Sequence, residues 1–274
     1  PYYYNTLKET LAQTDDLYFA AMEEWVQKRF GRRLAELTRF DAIHLLSLAH
    51  LDRFLPQTPL DELITFFNIW GINLENTPGL NLILGKEDQK SHQAICFVLE
   101  IPDEVYVVMK PEGGWIDVET LWHELGHGLS AVFTSPEIPM VDREMAPSFS
   151  LSESFAFLNQ NITLSMPFLT EFLNIDRSVA ERIHYYKVLK DMSLFRRYAA
   201  KFLTEYEVFS SGNLDDGGIY AENMRRYTGF YYQPESHLLD LVPELYSLDY
   251  LLGWITETLL AYHLKKTAGD EWML

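Results

Sequence analysis

A mainly α fold with one small β-hairpin or sheet is predicted by three features of this sequence. Apolar residues recur at helical spacing along most of the chain. Two adjoining short runs rich in β-branched and aromatic residues read as strands. The composition, 47% hydrophobic and 23% charged over 274 residues, is that of a globular chain able to bury a substantial core. A single region is expected over residues 1–274. Its helical N-terminal part covers 1–84, and 85–274 carries the strand pair and the later helices.

Taken in order, Thr6-Leu7-Lys8-Glu9 has capping-box spacing and predicts a helix running to Gly31. Further helices are expected around residues 40–54 and, after Thr58 and Pro59, through Trp70. Residues 71–92 read as irregular. Ala94–Ile101 and Glu104–Lys110, separated by Pro102-Asp103, then predict a hairpin. It leads through Pro111-Glu112-Gly113-Gly114 into a helix over 118–133, with Leu121, Trp122, Leu125, Leu129, Val132 and Phe133 in one apolar arc. The next amphipathic segment, Phe155 to Leu164, follows a helix-start signal at Ala146–Glu153. Its expected core stripe is Leu151, Phe155, Leu158 and Ile162, with Glu153 on the opposite side. A long helical stretch over 177–210 ends in the glycine-rich loop Gly212–Gly218. The last helix, 245–264, has an apolar stripe of Leu245, Leu248, Leu252, Ile255 and Leu259. Tyr246, Tyr250, Gly253 and Glu257 follow its second face.

The chemistry is concentrated in Leu121-Trp122-His123-Glu124-Leu125-Gly126-His127. Residues four apart on a helix lie one turn above each other, so His123 and His127 can share a cation with Glu124 beside it. Both histidines project away from the apolar arc. Gly126 and Gly128 each cost about 1 kcal/mol of helix propensity, which points to close approach by a neighbour or by substrate. A catalytic zinc usually takes three protein ligands and leaves the last position to water. The pattern with a third histidine six residues on requires Gly at 130 and His at 133, but Ser130 and Phe133 stand there. A glutamate about twenty residues after the second histidine is also absent, since Ala146 and Pro147 occupy that region. Glu153 is the best candidate for the third ligand, although Ser150-Leu-Ser-Glu153 also spells a capping box that would use the same carboxylate. Glu137, Asp142 and Glu144 are further carboxylates, in a proline-containing stretch that reads as a loop.

These residues resemble the thimet oligopeptidase and oligoendopeptidase F metallopeptidases. The resemblance is carried by His123-Glu124-Leu125-Gly126-His127, by Pro147-Ser148 followed by Glu153, and by the tyrosine-rich segment from His237 to Gly253. It covers roughly residues 85 to 265, judged by motif order. It implies a zincin-like helical catalytic domain with one Zn2+ held by His123, His127 and Glu153, and with Glu124 as general base. It also implies that His237, Tyr246 and Tyr250 line the substrate cleft and stabilise the tetrahedral intermediate. Family members are usually about twice this length, with an N-terminal helical wall that is expected to be missing or reduced here.

The expected activity is therefore zinc-dependent endopeptidase action on short or unfolded peptides. A zinc exopeptidase and a catalytically incomplete, metal-stabilised binding protein are the alternatives. Forty acidic against 22 basic side chains give a formal charge of -18, which opposes binding to nucleic acid or to an anionic membrane. The acidity favours solubility, and it would steer cationic peptides. Cys96 is the sole cysteine, sits in an apolar run and is expected to be a buried thiol, so no internal disulfide forms. No apolar stretch is long enough to span a bilayer and no signal sequence is recognisable, so a cytoplasmic protein is expected. Residue 1 is proline, which suggests a trimmed or processed chain.

Overall fold

Helices take up most of the chain and one small sheet is set among them, in keeping with the predicted class. In the computed structural model, residues 2–55, 60–85, 94–215, 217–269 and 272–273 are described. The helices are α1 (Tyr2–Phe30), α2 (Arg39–Leu46), α3 (Leu60–Leu63), α4 (Trp115–Val132), α5 (Met140–Glu144), α6 (Ser150–Ile162), α7 (Arg177–Ser211), α8 (Gly218–Thr228), α9 (His237–Asp240) and α10 (Ser247–Ala268). The strands are β1 (Leu80–Leu84), β2 (Ile95–Glu100) and β3 (Glu104–Met109). The chain divides into two compact units, one formed by Pro1–Leu48 with Tyr185–Leu251 and the other by Ala49–His184 with Leu252–Leu274. Among the described residues no helix is long and apolar enough to cross a membrane.

In the first unit, α1 starts at Tyr2 rather than at the predicted Thr6. Thr6 is thus an interior residue, and its carbonyl accepts the Thr10 hydroxyl at 2.9 Å. The helix ends as expected, with Gly31 at φ 65°. Leu7 and Leu11 pack with Ala199, Phe202, Leu203 and Leu251 in one buried cluster of this unit. Buried Arg196 donates to the Leu11 and Tyr227 carbonyls and pairs with Asp15, which satisfies a charge that would otherwise be costly to bury. The helix predicted over 40–54 is interrupted, because fully buried Leu48 adopts φ 57° and only a 3-10 turn, Ala49–Phe54, follows. Burial of its side chain holds this residue in a left-handed conformation that leucine rarely takes.

The second unit contains the sheet, in the order β1-β3-β2. β2 and β3 form the predicted antiparallel hairpin, with Ile95 opposite Val108 and Phe97 opposite Tyr106. β1 runs parallel to β3 within the stretch read from sequence as irregular. Along β3 the buried residues alternate as Val105, Val107 and Met109, so one pleated face joins the core with Leu121, Trp122 and Leu125 of α4. The predicted arc of α4 holds except at its end. Phe133 caps the helix and is 61% exposed. The Thr58-Pro59 start signal lies outside the described residues.

The crossing of α4 over α6 is the feature that positions the site. A Cβ placed on Gly126 would stand 2.5 Å from the Ala156 Cα and 2.6 Å from the Phe155 carbonyl oxygen. Both are backbone atoms that no rotamer change can move aside, so glycine at this position lets the two helix backbones touch. Gly126→Ala gains about 1 kcal/mol of helix propensity but must push α6 away, for a net loss of about 2 kcal/mol. Urea unfolding monitored by circular dichroism would register this as a lower midpoint, and an unchanged or higher midpoint would contradict the close crossing.

The same crossing displaces half of the predicted core stripe of α6. Ile162 is buried as expected and Leu158 is half-buried, but Leu151 and Phe155 are exposed, and Glu153, Ser154, Ala156, Phe157 and Asn159 are buried. Of the stripe predicted for the last helix, Leu245 and Leu248 pack on the core, but Ile255 and Leu259 of α10 are exposed, and Leu251, Trp254 and Glu257 are buried instead. Amphipathicity assigns apolar residues to the inside, but the inner faces of these helices carry polar groups.

Candidate metal centre

The three residues that could hold a metal ion come from two helices of the second unit. His123 and His127 project from one face of α4, one turn apart, with their ring centroids 4.9 Å apart and their planes at 85°. Glu153 enters from the first turns of α6 and is 1% exposed. Its Oε2 lies 3.6 Å from His123 Nε2 and 3.9 Å from His127 Nε2. The three donor atoms fall within 4.8 Å of one another, so His123, His127 and Glu153 can hold a metal ion. Tetrahedral donors about 2.0–2.2 Å from zinc stand about 3.3–3.6 Å apart, which these separations approach. The capping box that competed for Glu153 is not built as predicted: Ser150 is the first helical residue, Phe149 precedes it as the cap, and the Glu153 carboxylate turns toward the histidines.

Both imidazoles are oriented by partners that the sequence reading did not pick out. His123 Nδ1 meets Gln160 Oε1 at 2.9 Å, and His127 Nδ1 meets Ser152 Oγ at 2.8 Å. Engaging Nδ1 leaves Nε2 of each ring facing Glu153, and such outer hydrogen bonds set the tautomer and orientation of a ligating histidine. Burial holds the His123 pKa down to about 4. Burial and the neighbouring His123 hold that of His127 down to about 3. Both rings are therefore neutral near pH 7, the form that binds metal. One signal for Gln160 was available, since it lies seven residues after Glu153 and thus on the same helix face. Ser152 carried no comparable signal.

Glu124 stands next to His123 on α4. Burial raises its pKa above the usual carboxylate range, partly offset by a hydrogen bond from the Cys96 backbone amide. Cys96 is half-buried rather than fully buried. Its thiol is pushed up to about 12 by burial and by the Glu124 charge, which keeps it protonated. Phe157 packs edge-on to His123 at 5.2 Å and stacks on Trp254 at 4.4 Å. Gly253 of α10 lies against Glu153, since a Cβ there would come within 2.6 Å of the Glu153 Cβ. The glycine singled out in the late helix thus gives Glu153 its space.

A cleft of about 470 Å³ opens beside His127, with Leu99, Ile101, Phe149, Leu151 and Phe155 among its walls. Two of the four residues expected in the α6 core stripe, Leu151 and Phe155, are therefore cleft residues. Among the described residues β2 is an edge of the sheet, and its exposed Val98 and Leu99 line this opening. His237, Tyr246 and Tyr250 belong to the first unit. There His237 has Nδ1 2.8 Å from the Pro234 carbonyl oxygen and Nε2 2.8 Å from that of Leu214. Tyr250 stacks on Tyr198 at 4.5 Å, and Tyr246 meets Tyr250 edge-on at 5.0 Å.

Compared with known proteins, the chain matches no family model and no curated protein sequence. Its functional reading rests on the centre itself.

Proposed function

We propose that this chain is a zinc-dependent endopeptidase that hydrolyses short or unfolded peptides. The observation that carries this reading is the convergence of His123, His127 and Glu153, with Glu124 beside them and an open cleft alongside. Two neutral imidazoles and one carboxylate form a donor set suited to catalytic zinc, which takes three protein ligands. Bound zinc supplies a Lewis acid that polarises a carbonyl and lowers the pKa of water toward about 7.

The side chains supply the remaining functions. Glu124, with its affinity for protons raised by burial, accepts the proton of the attacking water and returns it to the departing amine. Gln160 and Ser152 hold the two rings so that neither ligand must reorient during turnover. The outer edge of β2 offers backbone groups to an extended peptide, a mode of binding that tolerates many sequences. Stabilisation of the oxyanion by His237, Tyr246 or Tyr250 is carried by the family resemblance alone.

Digestion of a mixed peptide library by the zinc-loaded protein, with products sequenced by mass spectrometry, tests the reading. Internal cuts suppressed by a chelator are expected. Removal of terminal residues alone would indicate an exopeptidase, and bound zinc without cleavage would indicate a binding protein.

A further inference from the structure

We propose that the cleft beside His127 selects a basic side chain, lysine or arginine, on the residue flanking the cleaved bond, with Asp142 as its anionic partner; this inference rests on the peptidase reading. The charges lining the cleft decide the sign. They are Asp142, Arg143 and Glu144, all from α5, since His127 is neutral. The Arg143 guanidinium donates to the Pro136 carbonyl at 2.9 Å and to Glu144 Oε1 at 3.1 Å, so these two opposite charges cancel. Among the described residues, nothing pairs with the Asp142 carboxylate. One uncompensated negative charge therefore remains at a cleft walled by Leu99, Ile101, Phe149, Leu151 and Phe155.

That combination matches the two halves of a long basic side chain. Apolar walls accept the methylene stem, and the carboxylate meets the cationic head without full desolvation. The volume of about 470 Å³ has room for either residue. A purely apolar side chain would fill the walls but leave Asp142 unanswered, and an acidic one would face the Asp142 charge. The formal charge of -18 acts in the same direction by drawing cationic peptides toward the protein.

The test uses paired fluorogenic peptides that differ only by lysine or norleucine, placed on either side of the cleavable bond, with the zinc-loaded full chain. The wild type is expected to prefer lysine at one of the two positions by roughly five- to tenfold in kcat/KM, less at high salt. This ratio should fall to about one in Asp142→Asn and invert in Asp142→Lys, where the norleucine peptide becomes favoured. Because the readout is a ratio within one protein, a partly misfolded variant does not imitate it. A ratio near one in the wild type at both positions, or one unmoved by either substitution, overturns the proposal and leaves the peptidase reading standing. If the zinc-loaded chain cuts neither peptide, the peptidase reading fails on its own. Fluorescence anisotropy with the same peptides then decides: tighter lysine binding lost in Asp142→Asn supports the cleft assignment, and equal binding refutes it.

Discussion

Glu124→Gln should retain one bound zinc and lose turnover by roughly 10²- to 10⁴-fold, the range expected for loss of a general acid–base. Glutamine keeps the shape of the side chain and can still accept the hydrogen bond from the Cys96 amide through its Oε1. It cannot take up a proton. His123, His127 and Glu153 are untouched, so metal content should not change. Stability should hold or rise slightly, since the charge that burial penalises is gone. Metal stoichiometry by mass spectrometry, together with kcat on a peptide that the wild type cuts, checks both halves. Full activity in the variant would remove Glu124 from the mechanism, and loss of metal would show that it helps to hold the ion.

The second large effect is expected at Glu153. Glu153→Gln replaces an anionic ligand by a weak neutral one inside a centre whose other two donors are uncharged. Zinc affinity should fall by at least about 10²-fold, beyond the 10- to 100-fold typical of losing an outer partner of a ligand. Glutamine is preferable to alanine here because Gly253 and α4 both pack closely on this part of α6, and alanine would leave a cavity. Heat denaturation with and without chelator separates metal loss from misfolding. The wild type should lose several degrees of Tm when zinc is removed, because a ligand at 1,000 times its Kd contributes about 4 kcal/mol. The variant should melt near the chelated wild type and be indifferent to chelator. An equal response to chelator in both proteins would mean that the third ligand lies elsewhere.

The parts of this molecule that were legible in its sequence are those set by local chemistry. His123 and His127 share a face because a helix repeats every 3.6 residues, and no tertiary contact is needed to place them there. The hairpin of β2 and β3 was legible from two apolar runs around Pro102-Asp103. The end of α1 was marked by Gly31. β1 was not legible, because a five-residue run paired in parallel has no neighbouring turn to announce it.

What the tertiary structure decided is which face of each helix turns inward. In α6 the apolar stripe Leu151 and Phe155 was expected in the core, yet the crossing at Gly126 buries Glu153 instead and leaves those side chains in the cleft. Gln160 and Ser152 likewise became partners of the histidines only when α6 was laid across α4. By itself the sequence determined the long helices α1, α4, α7 and α10, the hairpin and the pair of histidines, because each follows from the spacing of near neighbours, whereas α5, read from sequence as a loop, and α8 and α9 were not legible. Glu153 was the sequence's best candidate beside a competing capping box, and only the packed chain brought its carboxylate to the histidines, oriented the rings and opened the cleft, because these depend on how closely two backbones approach, and a single glycine sets that distance.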